Sequence, residues 1–578
     1  MVDGQQRITT SMILIQTILE TVPESELLAS QSIENIRKKF ILFKADDGIR
    51  ESYIFGYEKD NPSDEFLRTR IFGMHSSSNQ KMETLYTRNL IEAKKFFTEK
   101  LSQLPLLEIS TLYKKATQKF KFNLYEISDE IDVFVTFETM NNRGKVLTSL
   151  ELLKNRLIYL STLFRNNTGK DKLRSNINDA WKSMYEYLGK NPEVLLSDSL
   201  FLRNHWVMYF KYSRKKGDDY IRFLLDEKFT ARNITNPKGE EYELKIEEIS
   251  DYVKSLQQSI VYWFYMHNPF YAQTDQLIDS QKRWLDRLGR LSFRSFRPLI
   301  LSAFVSRQDP RKISQLLEQA ERYNFAIFNL SQRRSNTGDT EFFGMSRELL
   351  TGQKTIDEVI DSIERWVDWY YDPDKFLNHI KDKYELERDG FYHWDGVRYF
   401  LYEHEQWLRE KGKQATSKLS WEALKTNRRD HVTLEHIFPQ TPVDPYWTER
   451  FDHLKSEKQR YLTHSLGNLL PLSRSKNSSL QNDSFPKKVN NGSGVGYYNG
   501  SVSENEIAQC EEWTPTKIYE RGLDLLAFME DRWNVKLGDK DFKKQLLHVV
   551  DIDLNAVESF QESEPDSKRL PQSISNEL

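Results

Sequence analysis

Between about residue 150 and residue 385 the chain repeats apolar positions at helical spacing. The breaks fall at a few turn-forming clusters: Asn166-Asn167-Thr168-Gly169, Asn236-Pro237-Lys238-Gly239, Asp309-Pro310 and Asn336-Thr337-Gly338. A period near 3.6 cannot be laid along a strand without burying polar side chains, so this stretch predicts packed helices. It carries no repeat of fixed length, which argues against a stacked solenoid. Composition agrees: 23 Gly and 17 Pro in 578 residues are too few for the turns of a β-rich chain of this size.

The flanks read differently. Residues 8–22, ITTSMILIQTILETV, predict a buried helix capped by Thr9 or Thr10. Phe40-Ile41-Leu42-Phe43 looks strand-like, residues 87–104 and 111–122 look helical, and residues 131–138, IDVFVTFE, fit a strand or the start of a buried helix. Residues 391–411, 418–426 and 514–534 return to helix. Residues 430–490 are short apolar pieces separated by turns, 491–505 read as a Gly-, Ser- and Asn-rich loop, and about 555–578 as a disordered tail. The single cysteine, Cys510, excludes a disulfide framework and a cysteine-based zinc site, and suits a reducing, cytoplasmic setting. No run of 18 apolar residues suggests a membrane span.

The irregular segment carries the chemistry. Leu434-Glu435-His436-Ile437-Phe438-Pro439 is followed by Leu466-Gly467-Asn468-Leu469-Leu470, and Asn477 stands nine residues after Asn468. Hydrolysing a phosphodiester needs a base for the attacking water and a cation to neutralise charge on the phosphate. A neutral histidine serves as the base near pH 7. A hard cation such as Mg²⁺ or Mn²⁺ takes oxygen from a carboxylate or side-chain amide. His436 is therefore the candidate base and Glu435 and Asn477 the candidate metal ligands. Asn468 is expected to hydrogen-bond the His436 ring and fix its orientation. Neighbours on a strand point to opposite faces, so Glu435 and His436 can serve one site only where the strand ends or bends, and Pro439 is a plausible terminator. His431 and His464 lie nearby and read as structural residues or minor DNA contacts.

A second polar cluster opens the chain. In Asp3-Gly4-Gln5-Gln6-Arg7, Gly4 permits a tight turn, and the helix behind it offers free N–H groups to a phosphate. Arg7 suits bidentate phosphate binding, Gln5 or Gln6 can position a water, and Asp3 can act on a metal or base. Asn142-Arg143-Gly144-Lys145 precedes Thr148-Ser149-Leu150-Glu151, a capping-box pattern at another helix start. Each is equally an ordinary polar turn before a helix.

The net charge of −3 rules out a uniformly basic nucleic-acid coat, so any DNA contact must be a local patch. Arg283, Arg287, Arg290, Arg294 and Arg297 would form one stripe, five charges over about 20 Å, on a helix ending at Pro298. DNA phosphates would answer such a stripe, and so would acidic residues of a neighbouring helix. Arg333 and Arg334, and Lys487 with Lys488, are further candidate phosphate contacts.

Taken together these motifs resemble the GmrSD-type restriction proteins. The C-terminal resemblance, to their HNH-like or ββα-metal nuclease domain, rests on Glu435-His436-Ile437-Phe438-Pro439, Gly467-Asn468-Leu469, Asn477, and Phe485 with Lys487-Lys488. It extends to Trp394-Asp395-Gly396-Val397-Arg398-Tyr399-Phe400-Leu401. The N-terminal resemblance, to a ParB-like domain that binds and hydrolyses nucleoside triphosphate, rests on Asp3-Gly4-Gln5-Gln6-Arg7 and on Asn142-Arg143-Gly144, Leu147 and Leu153-Lys154-Asn155. It implies a nucleotide site at Asp3, Gly4, Gln5, Gln6, Arg7, Asn142 and Arg143, the base and ligand roles above for His436, Asn468, Glu435 and Asn477, and DNA as substrate.

The implied fold class is mainly α with small α/β elements. A truncated ParB-like domain spans 1–160, a helical middle domain 161–385, an HNH-like domain 386–540 and a tail 541–578. The family's segment before Asp3 is not present ahead of the motif. A partner chain, a second copy, a true truncation or a start further upstream would account for it. The implied activity is a metal-dependent endonuclease or nickase that restricts modified phage DNA, gated by nucleotide. The alternative is a nucleotide-binding regulatory or DNA-recognition subunit of a split system with a silent nuclease fold.

Overall fold

A computed structural model describes residues 5–44, 51–56, 62–73, 85–121, 147–164, 167–212, 219–235, 243–412, 418–425, 432–492, 494–550 and 552. The described residues are mainly helical, with three two-stranded antiparallel sheets. They divide into two compact units: Met1–Asp286, Arg294–Ser314 and Gly338–Val359 in one, and Arg287–Phe293, Gln315–Thr337 and Ile360–Leu578 in the other. No helix among them is long and apolar enough to cross a membrane.

In the first unit, the helix Gln5–Thr21 buries Ile13, Ile15, Ile18 and Leu19 against Leu67, Ile71, Leu101, Ile109 and Tyr113. It starts at Gln5, so Thr9 and Thr10 lie inside the helix and neither caps it; the Thr10 hydroxyl donates back to the Gln6 carbonyl. Strands β1 (Leu27–Leu28) and β2 (Gln31–Ser32) form a hairpin whose turn residues, Ala29 and Ser30, both have positive φ. Strands β3 (Leu42–Lys44) and β4 (Glu51–Tyr53) pair with Leu42 opposite Tyr53. The expected capping box is present: Thr148 accepts from the Glu151 amide, and the Glu151 carboxylate accepts from the Thr148 amide. It starts the helix Ser149–Leu163. Farther on, the helices Asn167–Gly189, Asp198–Tyr209 and Ile246–His267 bury Trp181, Trp206 and Trp263.

The proposed arginine stripe does not form on one helix. That helix stops at Leu291, and Ser292 reverses the backbone at φ 67°. A short 3-10 turn, Arg294–Phe296, precedes the next helix, Arg297–Val305.

The second unit packs the helices Val397–Lys411 and Pro515–Trp533 around a sheet of β5 (Val432–His436) and β6 (Leu469–Ser473). The strands run antiparallel, with Glu435 opposite Leu470 and His436 opposite Leu469. Between them lie the helices Pro445–Phe451 and Ser456–Thr463; the helix Arg474–Leu480 follows β6 directly. The helix Val502–Ile507 begins inside residues 491–505, expected as a loop; a Ser501–Glu504 capping box starts it despite the glycines before it. The strand-or-helix segment 131–138, the 142–145 motif and the 555–578 tail lie outside the described residues.

Candidate active site

Gly467 shows why this sequence folds as it does locally. A Cβ at that position would stand 1.9 Å from the Ile518 carbonyl oxygen and 2.8 Å from the Gly522 nitrogen. Only glycine lets the turn before β6 lie against the helix Pro515–Trp533. The buried Arg521 of that helix then donates to the Gly467 and Leu469 carbonyls, at 2.6 and 3.0 Å.

The adjoining Asn468 is fully buried and saturated. Its Oδ1 accepts from the Phe438 amide at 2.8 Å and from the Trp513 indole at 3.1 Å. Its Nδ2 donates to the carbonyls of Phe438 and Thr463, at 2.9 and 2.8 Å. Contrary to expectation, it makes no bond to the His436 ring, since both ends of its amide are used on main chain and indole. It orders the backbone on both sides of the site instead.

His436 closes β5, buried at the edge of a cleft of about 520 Å³. Thr433, Glu435, Pro439, Gln440, Tyr392, Arg474, Asn477, Gln481 and Asn482 line the same cleft. The His436 ring lies 4.6 Å from the Tyr392 ring, Gln440 Nε2 donates to its Nδ1 at 3.2 Å, and its Nε2 faces His464 Nδ1 at 3.2 Å. Burial foremost, then His464 and Lys488, hold its pKa down to about 3, so the ring is neutral at pH 7.

Glu435 meets a different set of groups. Lys488, 0% exposed, places its ammonium 2.5 Å from Glu435 Oε1 and donates to the His436 and Ile437 carbonyls at 3.2 and 3.1 Å. Burial pushes the Glu435 carboxyl up and the Lys488 ammonium down, and each charge opposes the shift of the other. Lys488 was expected to contact DNA. Its burial and these three acceptors correct that reading to an internal one.

Asn477 sits in the helix after β6 and donates from Nδ2 to Thr433 Oγ1 at 2.8 Å. The fold thus brings Glu435, His436 and Asn477 to one cleft and leaves Asn468 behind it. Among the described residues, no group of three or more His, Cys, Asp or Glu side chains is arranged to hold a metal ion.

Other expected contacts scatter. Glu403 answers Arg287 at 2.9 Å and Arg290 at 3.1 Å, so an internal carboxylate, not phosphate, meets the middle of the arginine series. Arg283, Arg294 and Arg334 are exposed. Arg333 donates to the Tyr370 carbonyl, and exposed Lys487 lies 4.0 Å from Asp444. Gln6 and Arg7 are exposed in the first turn of their helix, which begins at Gln5. Asp3, Gly4, Asn142 and Arg143 lie outside the described residues.

The sequence reading missed Tyr392, Gln440, Arg474 and His464 as members of the site. A Gln four residues after His436 and an Arg three before Asn477 were visible, but only the closed fold gives them a shared cleft.

The chain matches the model of the C-terminal domain of GmrSD restriction endonucleases over residues 380–528, which contain the whole cleft. It matches the model of the GmrSD restriction endonuclease N-terminal domain over residues 1–158. No curated protein matches the sequence. A restriction nuclease acting on DNA is the class these matches define. The chain belongs to the GmrSD-type restriction protein family.

Proposed function

We propose that the cleft at the end of β5 is the centre of a metal-dependent DNA endonuclease or nickase. The observation that carries this is His436: a neutral imidazole held at the edge of a polar cleft, with one nitrogen turned to an exposed amide, Gln440. When Gln440 swings aside, Nδ1 can accept the proton of a water attacking phosphorus. The negative charge of bound DNA raises the basicity of the ring from its low value.

The donor chemistry fits a hard divalent cation. A carboxylate, Glu435, and a side-chain amide, Asn477, line the cleft; Lys488 holds Glu435 Oε1, so a cation there would draw on the other carboxylate oxygen, and Mg²⁺ takes few protein oxygens while keeping several waters. Those two residues would hold it, and when bound it would supply neutralising charge to the phosphate and leaving oxygen. Arg474, exposed on the cleft wall, is placed to bind a phosphate oxygen. The strand–strand–helix order of β5, β6 and Arg474–Leu480 supports a ββα-metal reading of the domain.

We further place this activity in modification-dependent, type IV-like restriction of phage DNA. Nucleoside triphosphate bound by a ParB-like N-terminal domain would gate cleavage, a reading supported by the N-terminal family match.

Nicking of supercoiled plasmid, unmodified and carrying a range of base modifications, tests the reading with Mg²⁺ or Mn²⁺, with and without ATP or GTP. Cleavage should vanish with EDTA and with His436→Ala, and Arg474→Ala should raise KM more than it lowers kcat. If the unaltered chain nicks none of these DNAs with either ion, a silent nuclease fold is favoured; if His436→Ala cuts as well as the unaltered chain, His436 is not the base.

A further inference from the structure

Resting on that reading, we propose that His464 is a positioning residue that sets the tautomer of His436, with the Asp389 carboxylate close behind it.

The argument begins with Gln440, whose Nε2 can only donate. It lies 3.2 Å from His436 Nδ1, so that nitrogen accepts. A neutral imidazole carries one proton, which must then sit on His436 Nε2. His436 Nε2 lies 3.2 Å from His464 Nδ1, which therefore accepts. The same logic puts the His464 proton on its Nε2, which faces Asp389 Oδ1 at 3.8 Å. The other oxygen of Asp389 is held by His393 Nδ1 at 2.7 Å, which keeps the carboxylate in place. One direction of donation thus runs from Gln440 through His436 to His464, with the Asp389 carboxylate behind it, beyond hydrogen-bond distance.

The backbone is organised to keep the series aligned. The Phe391 amide donates to the His464 carbonyl at 3.1 Å, tying the turn that carries Tyr392 to His464. Asn468 holds Thr463 on one side and Phe438 on the other, which fixes the separation of the two rings. The rings stand perpendicular, 4.9 Å between centroids, so an edge nitrogen of one meets an edge nitrogen of the other. For catalysis this leaves Nδ1, on the Gln440 side, as the nitrogen that takes a proton. The opposite tautomer would turn an N–H toward the water and abolish base function.

Asn retains an acceptor where His Nδ1 stood, whereas Leu does not. The test compares His464→Leu with His464→Asn in plasmid nicking. His464→Leu is expected to lower kcat on the order of 10- to 100-fold, short of deleting the base itself, with KM within about twofold. His464→Asn should restore most of the loss. Equal impairment of the two variants, or an unaltered kcat in His464→Leu, overturns the proposal.

A second readout does not depend on cleavage. In solid-state ¹⁵N spectra of the full chain labelled at histidine, a difference against His436→Ala identifies the His436 signals. Protonated Nε2 and bare Nδ1 are expected in the unaltered chain, with tautomer mixing in His464→Leu. If no variant or condition supports cleavage, the nuclease reading has failed, and these spectra alone decide the tautomer: bare Nε2 refutes it.

Discussion

Removing the Lys488 ammonium is the most direct test of how the site is built. Lys488→Met keeps the stem and deletes the charge. Three acceptors lose the ammonium: Glu435 Oε1 at 2.5 Å, which keeps only the Tyr497 hydroxyl at 3.5 Å, and the His436 and Ile437 carbonyls at 3.2 and 3.1 Å. Breaking a buried ion pair from one side costs about 3–5 kcal/mol, because the remaining charge stays buried without a counter-charge. Two carbonyls without donors would add about 1–3 kcal/mol each if nothing relaxed. Protonation of Glu435 limits the total. Burial already raises its pKa, and Lys488 supplies the foremost charge opposing that rise. The net expectation is a loss of about 3–4 kcal/mol at pH 7, shrinking as pH falls toward 5 and Glu435 takes up its proton. Urea denaturation at both pH values, followed by tryptophan fluorescence, measures it; Trp447 and Trp513 report on this unit. Adding Glu435→Gln should recover part of the loss, since the buried charge is then gone. A loss under about 1 kcal/mol, or a double variant no more stable than the single one at pH 7, would show that the pair is not the internal brace inferred here.

Stability should also fall in mild acid. Burial is the foremost cause holding His404 and His436 at about 3 in one unit, and His205 at about 3 and His267 at about 4 in the other. These folded values lie below the unfolded one, so the stability they confer is complete above about pH 6.5 and is lost as pH falls toward 4, at up to about 1.4 kcal/mol per pH unit for each ring. Denaturation midpoints that do not change between pH 7 and 5 would contradict this. Gly467→Ala should destabilise the second unit by about 3 kcal/mol or more, because the clashing atoms are main chain and cannot rotate away. A change under about 0.5 kcal/mol, read by urea titration, would mean that the turn is free to shift. Asn468→Leu strands three main-chain groups and the Trp513 indole, so a loss above about 3 kcal/mol is expected by the same measurement. Activity should fall with the folded fraction; full stability with abolished cleavage would return Asn468 to a direct catalytic role.

Local rules made much of the architecture legible. Helical period, scarce glycine and proline, and the Thr148–Glu151 box act within a few residues, and each is met in the structure. Glu435, His436 and Asn477 were legible as an ordered set, and they share a cleft. Partner choice was not legible. Lys488 and Glu435 are 53 residues apart, His464 and His436 are 28 apart, and Glu403 reaches Arg287 across 116. Nothing local distinguishes a lysine that will meet DNA from one that will be sealed against a carboxylate. Nor does spacing tell an arginine answered by phosphate from one answered by glutamate. Those outcomes depend on which charges are desolvated together when the helices close, because a buried charge must find a counter-charge and an exposed one need not. The sequence by itself determined the residue types of the site and the helices that frame it. The tertiary structure decided which of those residues face the cleft, which brace it from within, and which nitrogen of His436 meets Gln440 and which meets His464.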